Sequence, residues 1–117
     1  MVAHVFNKRI DAKYPATLSA KTINGLLRKK LGYKGVVITD DLQMGAISKK
    51  YSLKNILQLS INAGDDILLF GNQLDPRKIV KTKTLVDTVT SLVKSGKVNE
   101  QSITNSYNRI QKLKRKL

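Results

Sequence analysis

The sequence has no cysteine, which excludes a disulfide framework, a thiolate zinc site and a cysteine nucleophile, and leaves the redox compartment open. It has one histidine, and its carboxylates are scattered, so no ligand spacing for a metal is present and none is expected. Aromatic residues make up only 5%, so stacking platforms for bases are scarce. No apolar run approaches the roughly 20 residues that cross a bilayer, and no membrane span is expected. The opening Met1 to Phe6 lacks the basic segment, apolar stretch and cleavage site of a secretory signal. The compartment stays open, with the cytoplasm slightly favoured. The seven glycines match neither standard phosphate-loop pattern, so neither a nucleotide nor another cofactor is expected.

What is present is enough for one domain. The chain has 117 residues, 41% of them hydrophobic, which suffices for a core. Its 22 lysines and arginines against 8 acidic residues give a net charge of +14. Such a charge raises the prospect of a polyanion partner. The basic residues at Lys8-Arg9, Arg28 to Lys30, Lys49-Lys50 and Lys112 to Lys116 nevertheless read most simply as solvated helix faces and ends. Nucleic-acid binding is not expected, and a basic, non-enzymatic polyanion-binding module or a degenerate, inactive paralogue is kept as the alternative reading.

Three short runs, Val2 to Phe6, Gly35 to Thr39 and Asp66 to Phe70, are apolar at nearly every position, as strands buried on both faces are. Between them, Ser19 to Leu31 places Ile23, Leu26, Leu27 and Leu31 on one helical stripe with Ser19 as cap. A second helix is expected over Leu53 to Ala63, capped by Ser52 and stopped by Gly64. The class is therefore α/β, a parallel βαβαβ unit. Two helices follow. One starts after Asp75-Pro76, carries Ile79, Val80, Leu85, Val86, Val89, Leu92 and Val93, and ends at Gly96; the other follows Asn99. No repeat or linker divides residues 1–117. Three parallel strands leave two open edges, so the unit reads as a piece of a larger parallel sheet or barrel.

Chemistry in such a unit gathers at the carboxyl ends of the strands. There the sequence offers His4, the pair Asp40-Asp41 and Gly71-Asn72. Asp40, directly after a buried run, suits a nucleophile toward an anomeric carbon, a metal ligand, or a cap for the segment Leu42 to Ser48, and spacing alone leaves all three open. His4 reads as a hydrogen-bonded core histidine or as an acid or base. Asp65-Asp66 precedes its strand, and a turn and cap is the expectation there.

The segments Met1-Val-Ala-His-Val, Tyr14-Pro-Ala-Thr-Leu-Ser, Leu31-Gly-Tyr-Lys-Gly-Val-Val-Ile-Thr-Asp-Asp-Leu-Gln-Met44 and Ala63-Gly-Asp-Asp-Ile-Leu-Leu, in that order, resemble glycoside hydrolase family 3, in its bacterial β-N-acetylhexosaminidase branch. The resemblance implies that residues 1–117 are the last third of a TIM-like barrel, strands six to eight with the closing helices. It implies Asp40 as the nucleophile of a retaining glycosidase acting on β-linked amino-sugar oligosaccharides, such as peptidoglycan-derived or chitin-type sugars. His4, Asp41 and Met44 would line or shape the sugar pocket. A helix amino terminus near Leu42 would help hold Asp40 ionised. The branch's Lys-His-Phe-Pro-Gly-His-Gly segment, with the acid/base pair, has no counterpart in this sequence. The partner implied is the amino-terminal part of the barrel, and the chain alone is expected to be inactive.

Overall fold

The three apolar runs lie side by side in a computed structural model that describes residues 1–117. The Val2 N–H donates to Ile38 O at 2.8 Å, and Val2 O accepts the Asp40 N–H at 2.9 Å. On the other flank, Thr39 N–H donates to Ile67 O at 3.0 Å. These bonds give two isolated parallel bridges, Val2 with Thr39 and Ile38 with Ile67. Continuous strands over the three expected runs do not form. The backbone groups that a ladder would use have other partners: Val37 O accepts both Asp66 N–H and Ile67 N–H, Ala16 N–H donates to Val5 O, and Leu69 N–H donates to the Thr39 hydroxyl. The outer runs also have a neighbour on one side only, so nothing extends their pairing.

The segment expected as an α-helix over Ser19 to Leu31 is a π-helix, Lys21–Lys30. Its wide turns show in bonds from Gly25 N–H to Ala20 O and from Leu31 N–H to Leu26 O, each 2.9 Å. Ser19 still serves the helix start, its hydroxyl oxygen accepting the Thr22 N–H at 3.0 Å. The wider turn takes the stripe out of register, so Ile23 is buried while Leu31 is 68% exposed. Gly45–Ser48 forms a single short turn, α1. Helix α2 spans Leu53–Ala63, with the Ser52 side chain accepting from Asn55 N–H and Gly64 in the left-handed region at φ 110°. A β-carbon at Gly64 would also press on Asn24 and Ile23.

Helix α3 runs Thr82–Lys94, later than the sequence pattern suggests. Asp75 and Pro76 start only a short 3-10 turn, Pro76–Lys78, and Ile79 is 59% exposed. Helix α4, Glu100–Lys114, is capped by Asn99. Packing of α2 against its neighbours divides the interior into three small apolar groups, around Leu18, Leu42, Ile47 and Ile56, Ile23, Val37 and Ala63, and Leu57, Leu92 and Val98.

Asp65-Asp66 is no simple turn and cap. The Asp66 side chain is fully buried and accepts from Arg28 at 2.7 Å, Arg109 at 2.8 Å, Ser106 at 2.7 Å and the Val37 N–H at 2.8 Å. It binds α4 and the π-helix to the paired segments.

Candidate functional site

The carboxyl ends of the three paired segments converge. His4, on the first, donates its Nε2–H to Asp41 O at 2.7 Å. Leu42 N–H, on the second, donates to Leu69 O on the third at 2.9 Å. The third ends at Gly71, where a β-carbon would lie 2.5 Å from Asp41 Oδ2, so only glycine admits that carboxylate as placed.

Asp40 stands at the centre of this end, partly buried. Its Oδ1 accepts the Asp41 N–H at 2.8 Å, and Oδ2 makes no hydrogen bond within the chain. One oxygen is thus anchored while the other is free to react, an arrangement compatible with nucleophilic attack and with ligand binding. Asp41 does different work: its Oδ1 accepts the Gln43 N–H at 2.9 Å, closing a turn of the kind aspartate favours. Met44 follows at the mouth of α1 and is 37% exposed. No helix begins at Leu42. The helix opens at Gly45 and has four residues, so a helix dipole contributes little beside Asp40.

His4 Nδ1 lies 2.7 Å from the Thr17 hydroxyl, and Thr17 is completely buried. Both ring nitrogens are therefore engaged, which places His4 inside the structure of the loop. A 370 Å³ cavity beside it is lined by His4, Phe6, Lys13, Pro15, Lys50 and Tyr51, among others. Asp11 organises the loop that follows His4. The Ser19 hydroxyl donates to it at 2.6 Å, and this bond, with those from the Lys13 and Tyr14 N–H groups and the charge of Lys21, holds its carboxyl below the usual range against the opposing effect of burial.

Sequence reasoning passed over Gln43 as a functional side chain. Its amide accepts the Asn72 N–H at 2.7 Å and donates to Asn72 Oδ1 at 2.8 Å. Asn72, at φ 53°, in turn accepts the Val80 N–H at 2.9 Å and donates to Val80 O at 3.1 Å. This amide clasp ties the Asp40 loop to the segment leading into α3. Gln43 sits inside the quoted Thr-Asp-Asp-Leu-Gln-Met motif, yet its partner is 29 residues away, and no local pattern reveals the pair. Among groups of histidine, cysteine, aspartate and glutamate, no cluster of three that could hold a metal occurs.

The chain is 35% identical over 104 residues to beta-hexosaminidase A of Pseudoalteromonas piscicida, covering 88% of this chain and 17% of that protein. It is 35% identical over 108 residues to an uncharacterized secreted glycosyl hydrolase of Arthroderma benhamiae, covering 92% of this chain and 30% of the relative. The chain therefore spans less than a third of these relatives. Among solved structures, the beta-N-acetylglucosaminidase of Thermotoga maritima superposes with a TM-score of 0.82 at 36% identity, over 94% of this chain and 23% of that one. The family 3 beta-N-acetylglucosaminidase of a Paenibacillus species gives 0.78 at 37%, over 92% and 20%. These likenesses place the fold in the α/β class. The profile of the glycosyl hydrolase family 3 N terminal domain matches residues 1–113, and the chain belongs to that family.

Proposed function

We propose that this chain is the carboxyl-terminal third of a family 3 catalytic barrel, and that it supplies the nucleophile of a retaining glycosidase that releases β-linked N-acetylhexosamine. The observation that carries the reading is Asp40, held through Oδ1 with Oδ2 free at the converging ends of the paired segments. Asp40 Oδ2 attacks the anomeric carbon, and the bond to the aglycone oxygen breaks as that oxygen takes a proton from an acid outside this chain. Water then hydrolyses the glycosyl ester, and two inversions leave retained configuration. Asp41 shapes the turn and Met44 stands at the pocket margin. The names of the relatives favour an amino sugar, whether from peptidoglycan or from chitin-type chains.

The acid/base pair and the remaining barrel belong to the preceding part of the domain, so the 117 residues alone hydrolyse nothing. In an enzyme assembled with that preceding part, Asp40→Ala should lower turnover of an aryl N-acetylglucosaminide by about four orders of magnitude. Turnover within tenfold of the unsubstituted enzyme would remove Asp40 from the role. The charge of +14 supports the second reading, a polyanion-binding module; it requires binding to an anionic polymer that weakens steeply with salt.

A further inference from the structure

We infer that His4 is a positioning residue that aims the Asp40 carboxylate by fixing the Asp41 peptide, a role that rests on the glycosidase reading. Asp41 is held at both ends of its main chain. Its N–H donates to Asp40 Oδ1 at 2.8 Å, and its carbonyl accepts His4 Nε2–H at 2.7 Å. Asp40 itself is held by its own N–H on Val2 O at 2.9 Å, two residues before His4. Rotation of Asp41 about its backbone would swing the N–H that anchors Asp40, and the bond from His4 opposes that rotation.

The histidine is itself fixed. Its Nδ1 meets the Thr17 hydroxyl at 2.7 Å. Thr17 is fully buried and its hydroxyl also reaches Ala3 O at 3.0 Å, on the residue next to His4. A carbonyl oxygen only accepts, so Nε2 carries a proton and has no lone pair with which to take another. Both ring nitrogens are taken up by groups of the chain itself, so His4 acts on Asp40 through geometry. Misplacement of a reacting group by about 1 Å costs as much as 100-fold in rate, so a small rotation of Asp41 is enough to register.

Two substitutions separate the nitrogens. The amide nitrogen of glutamine occupies the place of Nε2, whereas that of asparagine occupies the place of Nδ1. His4→Gln keeps a donor for Asp41 O, and His4→Asn loses it. In the assembled enzyme, kcat on an aryl N-acetylglucosaminide should fall about 10- to 100-fold in His4→Asn with KM within about twofold, and stay within about threefold of the parent in His4→Gln. With [15N]leucine in the same enzyme, the Leu42 amide resonance, whose nitrogen shares a peptide plane with the Asp41 carbonyl, should move in His4→Asn and not in His4→Gln. Should His4→Asn fail to fold, Thr17→Val replaces it, and removing the hydroxyl that steers the ring should lower kcat with KM unchanged. Equal kcat in the two His4 variants, or unchanged kcat in Thr17→Val, overturns the positioning role alone. Absence of turnover in the parent enzyme overturns the glycosidase reading and this role with it.

Discussion

The chain carries the dipeptide Asp-Asp twice, at opposite ends of neighbouring parallel segments, and the two copies live in opposite surroundings. Asp40 and Asp41 are partly exposed and bonded mainly by backbone N–H groups, with Asp40 Oδ2 left free. Asp66 is fully buried and saturated by two guanidiniums, a hydroxyl and a backbone N–H. Asp65, 2% exposed, has no hydrogen-bond partner on either oxygen. Burial foremost, and then the charge of Asp66, push its carboxyl up to about 8 against the counter-pull of Arg28. The same two residues thus make an open, water-facing pair where oxygens stay accessible and a structural anchor where charge is paired. The dipeptide specifies neither role; what surrounds it does.

The comparison breaks most sharply at Asp66. Asp66→Ala would leave Arg28 and Arg109 without their carboxylate in positions only 10% and 27% exposed, and should destabilise the fold by about 3–5 kcal/mol. Urea unfolding measures it, and a loss below about 1 kcal/mol would show that the anchor is dispensable.

Asp65 sharpens the contrast through pH. Its folded-state value, about 8, lies above the ordinary 3.8, so the folded chain binds this proton more tightly than the unfolded chain. Its contribution is most favourable below pH 3.8, declines as pH rises between 3.8 and about 8, and is constant above that. Asp65→Asn should flatten this part of the stability profile and be the more stable protein at pH 9 by more than about 1 kcal/mol. Parallel profiles for the two proteins would show that Asp65 is not held neutral.

The smallest effect belongs at the Asp40 end. Gln43→Ala opens the clasp to Asn72, whose groups can turn to water because both residues are only partly buried. It should cost about 1 kcal/mol in urea unfolding. A loss as large as that of Asp66→Ala would mean that the two ends are equally anchored.

Local chemistry decided what the sequence disclosed. The helix Leu53–Ala63 was legible because its cap, apolar positions and terminating Gly64 lie within a dozen residues. The place of Asp40 at the converging ends was legible because it follows an apolar run directly. The start of α3 was misplaced since Val80, apolar and well spaced, has its N–H and carbonyl taken by Asn72, which bars it from a helical turn. The stripe of the π-helix was right at Ile23 and wrong at Leu31, because spacing assumes ordinary turns. Asp66 was misread because its partners Arg28 and Arg109 are 38 and 43 residues distant; a turn and cap was all that its immediate neighbours implied.

The anchor at Asp66 also sets an order in time. Its first guanidinium, Arg28, is made before it, and its second, Arg109, is made 43 residues after it. At synthesis rates of roughly 5–20 residues per second, that gap lasts about two to nine seconds. A nascent chain therefore passes through an interval in which Asp66 and Arg28 have been made and α4 has not, so the full set of partners at this carboxylate is complete only once the last helix is added.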